Sequence, residues 1–300
     1  MITPVKSVTN TMSSQNKKLA SILPEGSRLE QLCTGFQFTE GPVWNAVDGF
    51  LLFSDIPANR IYAWSSDKGA TLFREPSGNS NGLTYDREGR LILCEHGTRR
   101  LSRLENVDVY TVLSERFRGK RLNSPNDAVV KSDGTIYYTD PPYGIPPEEQ
   151  ELPFQGVFRF DPEHQNLTLL ADDFERPNGL TFSPDERLLY IADSFRKHVR
   201  VFDVNPDGTL GNSRVFAETH SESPGVPDGI KVDVEGNLYV VAAEGVWVFS
   251  KDGEKLGMIK VPDPRPTNCG WGDQDWKSLF IAARTSIYRI RLCIPGIRTS

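Results

Sequence analysis

Cysteine is scarce in this sequence, with four in 300 residues. They lie far apart along the chain, and no two of them form a C-x-x-C pair; they are Cys33, Cys94, Cys269 and Cys293. Structural zinc sites and redox-active dithiols use such closely spaced pairs. The spacing therefore argues against a zinc knuckle or a thioredoxin-like centre, and we expect reduced cysteines with a structural role.

The sequence also lacks an excess of basic residues and any long apolar run. Its 34 basic and 40 acidic residues give a formal net charge of −6, with no basic stripe that could meet phosphates. No run reaches the roughly 18 apolar residues of a membrane-spanning helix, and the first 27 residues lack the apolar centre of a signal peptide. We therefore expect no nucleic-acid partner, no membrane association and a cytoplasmic location.

Glycine and proline, by contrast, are plentiful, with 25 and 21 residues, and they accompany a motif that recurs six times. Each copy has a polar opening residue, usually followed by glycine, and then two short apolar strands separated by a turn and a third strand of alternating pattern. The opening residues are Glu40, Asn81, Asn126, Asn178, Asp228 and Asn268. They recur roughly every 40 to 50 residues, a length typical of a propeller blade.

This repeat predicts an all-β fold, a six-bladed β-propeller with four-stranded blades. We place the propeller over residues 28–294, with a disordered or extended tail over 1–27 and a short tail over 295–300. The stretch before the first opening residue, residues 29–38, would supply the strand that closes the ring. A proline-rich insertion in the third repeat, residues 141–150, cannot form a strand because proline lacks a backbone donor. It is either a surface loop without a role or a flap over the propeller mouth.

The first strand of each propeller blade lines a central channel, so equivalent residues form a ring around the axis. The six opening residues would bring two carboxylates and four carboxamides to that ring, and therefore only oxygen ligands. Hard cations such as Ca²⁺ prefer oxygen, whereas Zn²⁺ favours nitrogen or sulfur. Asn-Gly and Asp-Gly are also turn dipeptides, but a turn does not require charge at two of six equivalent positions. We therefore predict a divalent metal ion at the ring, most suitably Ca²⁺.

Four segments carry distinctive motifs in a fixed order: Glu40-Gly41-Pro42-Val43-Trp44, Ser124-Pro125-Asn126-Asp127, Arg176-Pro177-Asn178-Gly179-Leu180 and Pro227-Asp228-Gly229. Over roughly residues 38 to 292 the chain resembles the senescence marker protein/gluconolactonase/luciferin-regenerating-enzyme family, and its segment 94–100 looks most like the bacterial gluconolactonases. The resemblance implies a six-bladed propeller whose divalent cation is held by Glu40, Asn126, Asn178 and Asp228. It also implies lactone or related ester hydrolysis, with Asp228 as the acid/base.

The ring chemistry and the resemblance together predict metal-dependent hydrolysis of a sugar lactone, a small-molecule substrate. The metal would polarise the carbonyl group and Asp228 would transfer the proton. We expect substrate contacts from Asn81, Asn126 and His96, although a buried structural histidine is the alternative for His96. Two other functions stay open: a phosphotriesterase-like hydrolase on the same scaffold, and a non-catalytic propeller that binds proteins.

Overall fold

Antiparallel β-strands make up most of the regular structure in the computed structural model, which describes residues 18–106, 109–263 and 265–298. In chain order the strands are β1 Glu30–Asn45, β2 Phe50–Asp55, β3 Arg60–Ser65, β4 Gly69–Arg74, β5 Ser80–Tyr85, β6 Leu91–Glu95, β7 Arg100–Asn106, β8 Val109–Ser114, β9 Arg116–Phe117, β10 Lys120–Arg121, β11 Ala128–Val130, β12 Ile136–Asp140, β13 Gly156–Asp161, β14 Asn166–Ala171, β15 Pro177–Phe182, β16 Leu188–Asp193, β17 His198–Val204, β18 Leu210–Glu218, β19 Ile230–Val232, β20 Leu238–Ala242, β21 Gly245–Phe249, β22 Lys255–Lys260, β23 Asn268–Gly272 and β24 Ser278–Arg291. The described residues also include two three-residue 3₁₀ helices, Leu19–Ser21 and Pro147–Glu149. Within the described ranges, no helix has the length and apolar character needed to cross a membrane. The predicted all-β class is confirmed.

The strands form meanders whose first strands face one another around a channel. Four sheets contain four consecutive strands each, namely β5–β8, β11–β14, β15–β18 and β19–β22. A fifth sheet has the order β23-β24-β1-β2-β3-β4, and β9 and β10 form a small ribbon. The first strands pack together in the order β1, β5, β11, β15, β19 and β23, and β23 returns to β1. This closed ring of sheets is a β-propeller.

The number of sheets differs from the prediction: the described part of the chain has five main sheets rather than six separate four-stranded blades. The reason lies in β1 and β24, which run without interruption for 16 and 14 residues. The first half of β24 pairs with β23 and its second half with the start of β1, while the end of β1 pairs with β2. The first and last sequence repeats therefore share one sheet, and the start of β1 closes the ring.

Both ends of the described chain pack against the propeller. Leu19, Ile22 and Leu23 are buried, and the Ile22 carbonyl accepts a hydrogen bond from the Cys293 N–H at 2.7 Å. Near the other end, Gly296 forms an isolated antiparallel bridge to Asp233 on the β19 side of the channel. The packed region therefore extends past the predicted boundaries at residues 28 and 294. Residues 1–17 of the predicted tail, and the last two residues, lie outside the described residues.

Close approach of neighbouring first strands explains the glycine that follows most opening residues. A Cβ atom added at Gly82 would lie 2.6 Å from the Asn126 carbonyl oxygen, and one at Gly179 would lie 2.4 Å from the Asp228 carbonyl oxygen. The N–H groups of the two glycines donate to these same carbonyls, at 2.8 and 3.2 Å. Glycine is thus required for contact between adjacent repeats and not for a turn.

We expect Gly179→Ala to destabilise the propeller. The new methyl group would meet backbone atoms of the next repeat, which cannot rotate away, and overpacking of this kind costs about 1–3 kcal/mol. Gly211→Ala is the matched control, because a Cβ atom there has its nearest neighbour at 3.4 Å, on the outer strand β18. Urea unfolding of the two variants checks the prediction, and equal stability of both would contradict it.

Candidate functional site

The six opening residues lie at one end of the channel, at the start of the segments that form its wall. In β1, β5 and β15 the pairing with the second strand shifts register beside the opening residue, and such bulges re-aim side chains. Five of the six residues are buried: Glu40, Asn81, Asn126, Asn178 and Asn268. Asp228 is half-buried. It is therefore the opening residue that solvent reaches most easily.

Glu40 and Asn268 meet where the first and last repeats join. The Asn268 amide Nδ2 donates to Glu40 Oε2 at 2.9 Å, and the Gly41 N–H donates to the same oxygen at 2.9 Å. Asn268 Oδ1 accepts a hydrogen bond from the Cys269 N–H at 2.8 Å. The Asn268 side chain therefore positions Glu40, and a hydrogen bond with it also acts on the Asp127 carboxyl group, while Oε1 of Glu40 stays outside these hydrogen bonds.

Asn178 and Asp228 are adjacent, and Ser194 orients the first of them. The Asn178 amide Nδ2 donates to Ser194 Oγ at 3.0 Å, and that hydroxyl donates to the Pro227 carbonyl at 2.7 Å. A hydrogen bond with Asn178 also acts on the carboxyl group of Asp228. With its amide nitrogen committed, Asn178 can offer its oxygen to a ligand.

A buried ion pair that the sequence analysis missed lies inside the ring. Asp127 Oδ2 is 3.7 Å from Lys231 Nζ, and Asp127 is buried. Both residues depart from the sequence repeat, and this departure could have identified them. Asp127 occupies the position after the opening residue, where four of the other five repeats have glycine. Lys231 lies three residues after its opening residue, at a position that is uncharged in the other five repeats. Among the described residues, Asn126 is bonded through its backbone: its N–H donates to the Thr139 carbonyl and its own carbonyl accepts from the Gly82 N–H, both at 2.8 Å, and its side chain makes no hydrogen bond.

Three carboxyl groups thus share one end of the channel and disturb each other's ionisation. Burial, assisted by the negative charge of Asp127, raises the pKa of Glu40 to about 7, against the opposing effect of the hydrogen bonds from Asn268 and Gly41. Burial together with the charges of Glu40 and Asp127 holds the pKa of Asp228 well above its usual range. The pKa of Asp127 is raised by burial, and the Lys231 charge opposes that shift. A site with this much buried negative charge is suited to a cation.

His96 and Asn81 form a second polar pair at the ring. Burial lowers the pKa of His96 to about 4, so its imidazole is neutral near pH 7. Its Nε2 lies 3.1 Å from the Asn81 amide Nδ2, which can only donate, so Nε2 accepts and the ring proton is on Nδ1. Asn81 Oδ1 is buried without a partner among the described residues. The pair therefore presents one free donor and one free acceptor.

A family profile described as "SMP-30/Gluconolactonase/LRE-like region" matches residues 38–285. The chain belongs to the SMP-30/gluconolactonase/LRE-like family. It is 35% identical to a gluconolactonase of Zymomonas mobilis subsp. mobilis, over 91% of this chain and 84% of that one. The solved structure of a gluconolactonase from Xanthomonas campestris has a TM-score of 0.87 at 33% identity and covers 97% of this chain and 98% of its own. A calcium-binding regucalcin from Agrobacterium tumefaciens, with a TM-score of 0.76 at 18% identity over 89% and 94% of the two chains, shares the fold.

In this SMP-30/gluconolactonase/LRE-like chain, the described residues contain no cluster of three or more histidine, cysteine, aspartate or glutamate side chains placed to hold a metal ion. The predicted ligands are two carboxylates and two carboxamides, so they include only two side chains of the types that such a cluster requires. Glu40 Oε1 and the Asn178 side-chain oxygen are among the atoms that the hydrogen bonds of the described residues leave for a cation. The predicted ligands fit a hard cation, and the metal ion itself stays a prediction.

We expect Lys231→Met to destabilise this family member strongly, because it leaves Asp127 buried without its cation. Breaking a buried ion pair by removing one partner costs up to about 3–5 kcal/mol. Lys131→Met is the matched control, since both acidic partners of Lys131, Asp133 and Glu186, keep side-chain exposures of 46% and 23%, and pairs that solvent reaches contribute about 0–1 kcal/mol. Urea unfolding with chelator present measures both.

The double variant Asp127→Asn with Lys231→Met should recover most of the lost stability, because it removes the unpaired charge. Equal destabilisation by Lys231→Met and Lys131→Met would show that Asp127 does not depend on Lys231.

Proposed function

We propose that this chain hydrolyses sugar lactones at the ring of opening residues. The gluconolactonase relatives support the proposal, because they align over nearly the whole chain at 35% and 33% identity. The observation that carries it is Asp228, a half-buried carboxyl group at the channel end whose pKa is held above its ordinary range. Ester hydrolysis at neutral pH needs a group of this kind, which can both accept and return a proton.

A divalent cation belongs to the proposal, held by Glu40, Asn126, Asn178 and Asp228. The two carboxylates and two carboxamide oxygens suit Ca²⁺ best, since it takes six to eight oxygen ligands and completes its shell with water or substrate. The regucalcin relatives are in keeping with a divalent metal. When bound, the cation polarises the lactone carbonyl and stabilises the negative charge that develops on its oxygen.

The proton transfers fall to Asp228. As water attacks the carbonyl carbon, the ionised carboxyl group takes one proton from that water. As the bond between this carbon and the ring oxygen breaks, Asp228 returns the proton to the leaving oxygen, and the product is an open-chain hydroxy acid. The raised pKa of Asp228 makes its ionised carboxylate a stronger base toward water than an ordinary aspartate, while the carboxylic acid that results is still far more acidic than the alcohol that it protonates.

Asn81, Asn126 and His96 are the proposed contacts for substrate hydroxyl groups. The Nδ1–H of neutral His96 and the unpartnered Oδ1 of Asn81 offer one donor and one acceptor side by side, which matches the two roles of a hydroxyl group. The unpaired side chain of Asn126 would serve both the cation and the substrate. A purely structural His96 would leave the buried Asn81 oxygen unexplained, and such unpaired atoms are uncommon in folded proteins.

The same ring would polarise a phosphoryl oxygen, so phosphotriesters are the substrates to compare with lactones. Assays of the hydrolysis of gluconolactone and of a phosphotriester, each with Ca²⁺ and with chelator, distinguish a lactonase, a phosphotriesterase and a protein-binding propeller. Lactone turnover that depends on the cation supports the proposal. Turnover of phosphotriesters alone would show that the chain is a phosphotriesterase and not a lactonase. Turnover of neither substrate would favour a protein-binding propeller.

We expect Glu40→Gln to weaken Ca²⁺ binding by at least about tenfold, because it removes a ligand charge without changing the shape of the side chain. The fold should survive, since the amide keeps an oxygen acceptor for the Gly41 N–H. Glu163→Gln is the control: it removes one charge from an exposed turn, so screening should keep the change in affinity below about twofold. Isothermal titration calorimetry measures both, and equal affinities would refute Glu40 as a ligand.

We expect Asp228→Asn to weaken Ca²⁺ binding as Glu40→Gln does, because both changes remove a ligand charge. At saturating Ca²⁺ the variant should still bind the cation through its amide oxygen but lower kcat by roughly 10²–10⁴, because the amide cannot transfer a proton. Calorimetry of Ca²⁺ binding and gluconolactone assays on the same preparation test the two halves of this expectation. If the variant bound Ca²⁺ and hydrolysed gluconolactone at the parental rate, Asp228 would not be the acid/base.

A further inference from the structure

The proline-rich insertion, residues 141–150, lies against the site. The Ser124 hydroxyl donates to the Tyr143 carbonyl, and a Cβ atom added at Gly144 would be 3.7 Å from His96 Nδ1. At the far end of the insertion, the buried Arg99 donates from Nη1 to the Glu149 carbonyl at 3.2 Å. The loop is therefore fastened at both ends to residues around the ring, which favours the flap over a loop without a role.

The insertion brings Tyr143 to the residues that surround Asp228. The Tyr143 side chain is half-buried, and burial together with the Asp228 charge raises its pKa, while a hydrogen bond with Ser194 acts in the opposite direction. Ser194 is the hydroxyl that orients Asn178. Tyr143 therefore stands beside the proposed catalytic carboxyl group and the proposed ligands, and it forms part of the outer wall of the site.

The Arg176 guanidinium lies over the Tyr143 ring, and its positive charge is not paired with a carboxylate of the described residues. Its guanidinium carbon is 4.9 Å from the centre of the Tyr143 ring, a distance at which a cation is attracted by the ring face. Within the described ranges, no ion pair joins Arg176 to a carboxylate, whereas the nearby Arg196 and Arg200 pair with Glu175 and Asp173. A hydrogen bond with Arg176 also acts on the Tyr143 hydroxyl, so the tyrosine holds the guanidinium by its ring and its hydroxyl. A flat guanidinium with further N–H donors is the preferred group for binding a carboxylate or a phosphate.

We propose that Arg176, held against Tyr143, binds an anionic group of the substrate, so that the site prefers sugar lactones carrying a carboxylate or a phosphate away from the reacting carbonyl. This inference rests on the proposed lactone hydrolysis.

The charge balance of the site agrees with it. A divalent cation and Lys231 together would offset the three carboxylates Glu40, Asp127 and Asp228, and Arg176 then leaves one positive charge in excess at the outer wall. One negative charge on the substrate would complete the balance.

The test compares gluconolactone, which is neutral, with glucarolactone and phosphogluconolactone, which carry a carboxylate and a phosphate. We expect Arg176→Gln to lower kcat/KM for the charged lactones by about 10- to 100-fold, the usual loss for a charge-assisted hydrogen bond, and for gluconolactone by less than about threefold. Arg187→Gln, on an exposed turn whose arginine pairs loosely with Asp185, is the matched control and should change none of the three.

Two Tyr143 variants test whether contact with Tyr143 is needed to hold the Arg176 guanidinium in place. Tyr143→Phe keeps the ring face but loses the hydroxyl that is hydrogen-bonded with Arg176, and it should keep part of the preference for charged lactones, whereas Tyr143→Leu removes both and should lose most of it. Equal effects of Arg176→Gln on all three lactones, or a parent with no preference for the charged ones, would overturn the proposal. A larger effect on one charged lactone would identify which anion the site recognises.

A binding measurement separates this proposal from the proposed reaction. Calorimetry with glucarate and gluconate should give tighter binding of glucarate, and Arg176→Gln should remove the difference. If the difference were present but no lactone were hydrolysed, anion binding would stand and the proposed reaction would fall. If gluconolactone were hydrolysed but Arg176→Gln left glucarate binding unchanged, the reaction would stand and the anion site would fall.

Discussion

The close approach of neighbouring first strands around the channel is the constraint on which the rest of this propeller depends. Glycines allow it, since a single methyl group at Gly179 would overlap the backbone of the next repeat. Buried hydroxyl groups reinforce it: Ser54 donates to the Asn81 carbonyl at 2.8 Å and Thr139 to the Asn178 carbonyl at 2.8 Å. The opening side chains therefore converge because the backbones that carry them are joined from repeat to repeat.

Bringing the carboxyl groups of Glu40, Asp127 and Asp228 together is electrostatically unfavourable, and the protein offsets this repulsion only in part. Three carboxyl groups face a single described cation, Lys231, and two of them, Glu40 and Asp228, have pKa values raised by burial and by the negative charge of Asp127. Fixed hydrogen bonds from Asn268 and Gly41 hold Glu40 in place before any ligand arrives. A preorganised site of this kind binds a cation without first rearranging, and the same rigidity would hold the proton-transferring carboxyl group against the substrate.

The repeating features could be predicted from the sequence, and the single departures from the repeat could not. Strand pairs and opening residues recur six times, so their shared place on the channel follows from periodicity. Asp127 and Lys231 each break the pattern once, and a lone departure does not reveal its partner across the channel. The sheet shared by the first and last repeats could not be predicted either, because the sequence does not show that β1 and β24 continue without a break. Asn-Gly dipeptides fit a turn and a close strand contact equally well.

We propose that these joined strands build a cation site from the opening residues, and a crystal structure of the chain grown with Ca²⁺ would test this proposal. We expect one ion at the channel end, bonded to oxygen atoms of Glu40, Asn178 and Asp228 at about 2.3–2.6 Å, with Asn126 beside it. An ion bound elsewhere, with these side chains more than about 6 Å apart, would refute the site, because Ca²⁺–oxygen bonds of that length cannot bridge such a gap.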